Sequence, residues 1–358
     1  MEKLIKIIRT VLGESKEKYA ITTADIKRAE YHKIESFLYL ASDRKMTDDN
    51  ILHQLKILQM KAIKKDAVQL SELKEVISLF ETNAIDCLPL KGSKMKEYYP
   101  YSFLRFMGDI DILIHDYDME KAVALLKEKD YVPERDSYNH LALEKLPYME
   151  IELHRKLLPY NQKGEKLLEN IWNRVYLREG FSHVYEMKKE DFLIFMLIHL
   201  DKHYSRSGTG IRSFLDIYLY LQKNEDIDLK SIYASFDDVE LRDRCIRYIE
   251  FSQRLFRLQP LTGEYEKMSN KVKNSGVFGS KKVQMETDLE NSDNKVITFI
   301  FKKAFPPKET IIQRYPKVKK YKILFPFFYA FHIIKICLFS PFKSIRRIAD
   351  IYKYKKMR

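Results

Sequence analysis

The chain has 358 residues, of which 45% are hydrophobic, 32% charged and 13% aromatic, enough to bury a sizeable core in two domains or in one with extensions. Three cysteines, Cys87, Cys245 and Cys337, sit at no ligand-like spacing, which argues against a disulfide framework and for a reducing cytosol. The net charge of +13 is local: residues 301–358 hold 16 Lys and Arg against Glu309 and Asp350, so the rest is near neutral and a uniformly basic nucleic-acid binder is disfavoured.

The first eighty residues read as helical. MEKLIKIIRTVLGESKEKYA carries charges throughout and places Leu4, Ile7, Ile8 and Val11 on one helical face, which is no secretory signal. From about Asp48 to Glu81, the residues Ile51, Leu55, Leu58, Ala62, Leu70, Leu73, Ile77 and Phe80 recur at mostly helical spacing behind a Thr-Asp-Asp cap. This segment is expected to be a packing helix.

AIDCLPLKGSKMKEYYP (84–100) predicts a short strand, a Lys-Gly-Ser turn and a short helix ended by Pro100. A second strand, DIDILIH (109–115), follows Gly108, and YDMEKAVALLKEKDY (117–131) is an amphipathic helix with Met119, Ala122, Val123 and Leu126 inward. YMEIELH (148–154) alternates closely, with Met149, Ile151 and Leu153 on one face and Tyr148, Glu150, Glu152 and His154 on the other. Three strands are therefore expected.

Asp109 and Asp111 lie two apart in an apolar run, so on a strand they share one face about 6.6–7 Å apart at Cα. Two uncompensated carboxylates there repel, and one tends to take up a proton. Cations between them, with Mg²⁺ the natural candidate, make the arrangement favourable. A solvated strand face is the plain alternative for D-x-D taken alone. Upstream, Gly92 lets a backbone approach a phosphate, and the following amides with the Ser93 hydroxyl suit an anion. Glu152 lies on the polar face of a strand able to flank the D-x-D strand.

The set LKGS (90–93), Arg105-Phe106-Met107-Gly108-Asp109-Ile110-Asp111, an amphipathic helix and IELH resembles the DNA polymerase β-like nucleotidyltransferase superfamily. Within it, the chain looks most like the uncharacterised bacterial nucleotidyltransferases with a Leu-Lys-Gly turn and an Arg-x-Met-Gly-Asp-x-Asp strand. The specific motifs span about residues 85–155, and a looser likeness reaches the helices to about 223 and the FPP…RYP stretch at 305–316. The resemblance implies an α+β fold: a small mixed sheet with a helical N-terminal layer and a helical C-terminal domain. It divides the chain into a helical region (1–82), a nucleotidyltransferase core (83–185), a helical domain (186–300) and a basic tail with an apolar helix (301–358).

The resemblance also implies site roles. Gly92 and Ser93 hold the triphosphate, Asp109 and Asp111 bridge two Mg²⁺ ions, and Glu152 is the third carboxylate. Glu150, on the same face, is the alternative. Lys91 and Arg105 add positive charge for the phosphates, with an ordinary ion pair as the other reading. The substrates implied are an NTP and an unspecified acceptor hydroxyl or phosphate.

Beyond the core, KKEDFLIFMLIHLDKH (188–203) and IRSFLDIYLYLQK (211–223) predict helices joined by a flexible YSRSGTG connection, with helices on to about Leu258. His199 and His203, at i and i+4, lack the glutamate of a zinc-protease motif and are expected to cap or pack. Arg212 and Asp216 are expected to pair on one helix face. Residues 276–295 read as a loop or flap. ILFPFFYAFHIIKICLFSPF (323–342) is long enough for a span, but Pro326, His332, Lys335 and Pro341 interrupt it. It is expected to be a packed helix or an interfacial one, meeting an anionic membrane or acidic partner through the basic tail. No groove-reading motif marks a nucleic-acid partner. The location expected is the cytoplasm, peripheral at a membrane if the tail binds lipid. Two other readings are a non-catalytic relative that acts as a binding or membrane-surface protein, and a growth-arrest toxin that nucleotidylates RNA or protein.

Overall fold

The computed structural model describes residues 1–137, 139–147, 149–159, 162–290, 305–308, 311 and 322–339. Its N-terminal layer begins with α1 (Glu2–Val11), which buries Leu4, Ile5, Ile7 and Ile8 as its apolar spacing demands. Next, α2 (Thr23–His32) starts on a reciprocal cap in which the Thr22 hydroxyl and the Asp25 carboxylate each accept a backbone N–H. A short α3 (Leu38–Ala41) leads to α4 (Asp49–Thr82), whose first turn is capped by the Asp48 carboxylate on the N–H groups of Asn50 and Ile51. At 34 residues, α4 is about 51 Å long at 1.5 Å per residue.

The core sheet has five strands: β1 (Cys87–Pro89), β2 (Ile110–Ile114), β3 (Val132–Asp136), β4 (His140–Lys145) and β5 (Met149–His154). Their order is β1-β2-β5-β4-β3. Only β2 and β5 run parallel, and the other neighbours are antiparallel. Between β1 and β2 lies α5 (Lys91–Met95), and α6 (Met119–Lys127) makes the crossover after β2. One sheet face is apolar. There Ile110, Ile112, Ile114, Ile151 and Leu153 pack with Val76, Ile77 and Phe80 of α4 and with Met119, Ala122 and Leu126 of α6. Period-two alternation therefore turns Asp111, Glu152 and His154 to the opposite face.

The hairpin β3–β4 corrects the expectation of three strands. Charges fill VPERD and Pro133 interrupts it, and all five β3 residues are exposed, as an edge strand allows. Tyr148 lies outside the described residues. A small hairpin, β6 (Tyr176–Leu177) with β7 (Tyr185–Glu186), follows the sheet.

The helical part of the same unit contains α7 (Lys189–Ser207), α8 (Ile211–Lys223), α9 (Leu229–Ala234), α10 (Val239–Phe256) and α11 (Glu264–Ser275). Phe214, Leu215, Cys245, Phe251 and Phe256 share one core with α1, α2 and the Leu113 side of the sheet. The connection expected at 204–210 is shorter, because α7 continues to Ser207.

Packing separates Met1–Tyr204 with Gly208–Gly279 from a second unit, Ser205–Ser207 with Ser280–Arg358. In that second unit α12 (Lys281–Glu290) replaces part of the loop expected at 276–295, since KKVQMETDLE is rich in good helix formers. The apolar segment forms α13 (Phe325–Phe339), with Pro326 harmless in its first turn. Residues 291–304, most of the RYP stretch, and 340–358 with their share of the basic tail lie outside the described residues. Among the described residues no helix is long and apolar enough to cross a membrane.

Candidate active site

Parallel pairing of β2 with β5 sets Asp111 directly beside Glu152, and Asp109 stands one residue before β2. One oxygen from each of these three carboxylates lies within 4.8 Å of the others. They line a cavity of about 420 Å³ together with Lys91, Gly92, Arg105, His140, His154 and Arg212. A larger cavity of about 1000 Å³ lies between α4, α5 and the β6–β7 hairpin, and none of the three carboxylates lines it.

Glu150 is not in the carboxylate group. Its register partner is Glu144, and its ion pair is with the exposed Arg135 at 3.5 Å. The geometry therefore favours Glu152 as the third acid.

The acids are asymmetric. Burial raises the Asp109 pKa, and the charges of Asp111 and Glu152 push it further in that direction. Burial also acts upward on Asp111, but a 2.9 Å hydrogen bond from His154 and that ring's charge outweigh it, so the net direction is down. Glu152 follows the same pattern, with its oxygens 3.4 Å from His154 Nε2 and 3.3 Å from His140 Nε2. A divalent ion among the three acids would offset this mutual repulsion, so the oxygen-rich donor set fits such an ion.

Gly92 packs tightly beneath this site. A Cβ there would lie 3.3 Å from Met107 Sδ and 3.6 Å from the Asp109 carbonyl oxygen. Ser93 behaves differently: its buried hydroxyl donates to the Leu90 carbonyl at 3.1 Å, and the residue lines the larger cavity instead.

Lys91 reaches α7, where its Nζ is 2.6 Å from His199 Nδ1. Burial pulls Lys91 down to about 8, and burial with the Lys91 charge holds His199 well below its ordinary value. The His199 ring also lies tilted against that of His203, with 4.5 Å between centroids.

Arg105 forms a two-pronged contact with Asp216, Nε to Oδ1 at 3.3 Å and Nη2 to Oδ2 at 2.8 Å, and its Nη1 donates to the Phe106 carbonyl. Tyr99 donates to the same Asp216 at 2.7 Å. This corrects the expected Arg212–Asp216 pair. Arg212 Nη1 donates instead to the Phe106 carbonyl at 2.8 Å, because α8 faces the loop before Asp109. Arg212 Nε is buried without a hydrogen-bond partner. Sequence reasoning passed over His140 as a site residue, although the alternation in HLALEK was available to place it on the polar face; His199, His203, Arg212 and Asp216, which helical spacing offered as a possible cleft lining, do line the cavity.

The profile of a family described as "Uncharacterised nucleotidyltransferase" matches residues 24–257. The chain belongs to that family. The match takes in the sheet, all three carboxylates and helices α7 and α8, so this nucleotidyltransferase holds its acidic cluster inside the region that defines the family. None of the curated proteins and none of the solved structures compared with it matches.

Proposed function

We propose that this nucleotidyltransferase moves a nucleoside monophosphate from an NTP to an acceptor hydroxyl or phosphate at the Asp109–Asp111–Glu152 cluster, in the manner of the DNA polymerase β-like superfamily. The convergence of those carboxylates within 4.8 Å on the wall of the cavity carries this reading. Two Mg²⁺ ions, when bound, would supply Lewis-acid stabilisation to the attacking and leaving oxygens. Asp109 and Asp111 would hold them, and Glu152 completes the cradle. Asp111 or Glu152 is suited to accept the acceptor's proton. Gly92 would let the backbone approach the triphosphate.

Lys91 and Arg212 place positive charge on the cavity wall, where it suits phosphate oxygens. The side chain of Arg105 is consumed by Asp216 and the Phe106 carbonyl, which suits positioning of the loop before Asp109 better than binding nucleotide. An intact acidic set speaks for catalysis over a non-catalytic relative. The deciding experiment incubates the protein with each labelled NTP, divalent metal and cell extract. Transfer of label to a discrete acceptor, lost in Asp109→Asn, is expected; no transfer from any NTP would overturn the reading.

A second role rests on α13, where Phe327, Phe331 and Ile334 are exposed. Their i, i+4, i+7 spacing makes an apolar stripe suited to an anionic membrane surface, and the sequence that follows it is basic.

A further inference from the structure

Strand β4 brings a histidine to the carboxylate cluster. His140 and His154 are register partners on β4 and β5, and both rings stand on the face that carries Asp111 and Glu152. The residue opposite Glu152 on β4 is the fully buried Ala142. Their ring centroids are 5.2 Å apart. Both Nε2 atoms aim at the same carboxylate: His140 lies 3.3 Å from Glu152 Oε1, and His154 lies 3.4 Å from Glu152 Oε2. The His154 Nε2 is also 2.9 Å from Asp111 Oδ1. The only guanidinium paired with Glu152 among the described residues is that of Arg135, more than half exposed and 3.8 Å away.

The three imidazole-to-carboxylate contacts are of hydrogen-bond length, and one ligand atom each from His140, Glu152 and His154 lies within 4.8 Å of the others, close enough to converge on one ion. Donor chemistry distinguishes between ions, because imidazole nitrogen favours first-row transition ions whereas Mg²⁺ favours oxygen and water.

We propose that His140, Glu152 and His154, with Asp111 at their edge, form a nitrogen-containing site that selects a first-row transition ion such as Co²⁺ or Zn²⁺ over Mg²⁺. The site shares Asp111 and Glu152 with the proposed cradle but goes beyond it, since the oxygen donors alone would take Mg²⁺. Both histidines bind through Nε2, so each would keep its remaining ring proton on Nδ1.

The test uses the full chain without nucleotide, so its result is independent of whether any nucleotide is transferred. Titration with Co²⁺ is followed by visible absorption, and Zn²⁺ and Mg²⁺ are followed by calorimetry. The expected result is intense absorption from a low-coordinate, nitrogen-ligated Co²⁺, displaced by equimolar Zn²⁺ and not by Mg²⁺ at the same concentration. His140→Ala should weaken Co²⁺ and Zn²⁺ binding by tenfold or more while Mg²⁺ affinity changes less than twofold. Because His154→Ala also removes a bond to Asp111 and risks the fold, His140→Gln is the second variant, and it should weaken Co²⁺ in the same way. Equal affinities for the three ions, or Co²⁺ absorption unchanged in His140→Ala, would leave a hydrogen-bonded imidazole–carboxylate network only and overturn the proposal. A protein that binds Co²⁺ as expected yet transfers no nucleotide would retain this site and lose the proposed function.

Discussion

Asp216 on α8 is gripped by Arg105, 105 being the residue that opens the loop leading to Asp109, and the pair is almost wholly buried. Removing one partner of such a pair leaves the other charge uncompensated, at a cost of about 3–5 kcal/mol. Arg105→Met and Asp216→Leu should each lower stability by about that much in urea unfolding, whereas the double variant should cost clearly less than their sum. Additive losses would show that the two residues act independently.

Asp109→Asn tests the cradle. Loss of a metal contribution worth several kcal/mol would reduce transfer by about 10² to 10⁴, at about 1.36 kcal/mol per tenfold. Without metal the variant should melt no lower than wild type, because the substitution relieves repulsion from Asp111 and Glu152. The thermal shift produced by Mg²⁺ with NTP should disappear. A destabilised variant, with no Mg²⁺ response in either protein, would mark a structural acid pair.

Gly92→Val tests the close approach beneath the site. Its Cβ would press on Met107 and on the backbone of Asp109, so NTP binding by calorimetry should be lost. Gly92→Ala, which needs Met107 to move only a few tenths of an ångström, should retain weakened binding. Unchanged affinity in the valine variant would remove this turn from the site.

His32 predicts acid sensitivity. The ring is fully buried, its Nδ1 faces the Ile211 N–H at 3.5 Å, and burial lowers its pKa to about 4. Below its ordinary value near 6.5 the unfolded chain takes up a proton that the folded ring refuses. Stability should therefore fall as pH drops from about 6.5 toward 4, by about 3 kcal/mol at the acid end for a shift of this size. His32→Gln should flatten the decline between pH 7 and 5.5, read as Tm. An equally steep decline in both proteins would place the acid sensitivity elsewhere.

The stripe on α13 predicts lipid binding. Full-length protein should sediment with acidic liposomes at low salt and be released as salt rises, and Phe327→Ser with Phe331→Ser should reduce the bound fraction. Failure to bind acidic liposomes at low salt would exclude a membrane role for the tail.

Much of the site was legible in order along the chain. Alternation in DIDILI and MEIELH is strong enough to assign faces, and the observed sheet puts Ile110, Ile112 and Ile114 opposite Asp111 as that pattern requires. What escaped was the hairpin. Val132–Asp136 is an exposed edge with no buried side to announce it, and without it nothing placed His140 beside His154. The partner of Asp216 escaped for a different reason. Helical spacing offers Arg212 as a neighbour, but the winning contact comes from residue 105, more than a hundred positions away, and short-range periodicity carries no information about such a meeting.

The loop before Asp109 is tied down almost entirely by distant helices. Gln69 of α4 donates to the Met107 carbonyl at 3.2 Å, and Arg212 of α8 donates to that of Phe106. These ties close sequence separations of 38 and 106 residues, whereas the pairing of β4 with β5 closes a short hairpin. Loop-closure entropy favours the local pairing first. The β4–β5 hairpin can therefore close before the loop ahead of Asp109 acquires its shape, and an isolated fragment of residues 83–185 would lack both of these clamps. The placing of Asp109 against Asp111 and Glu152 thus depends on helices that lie on both sides of the core in sequence.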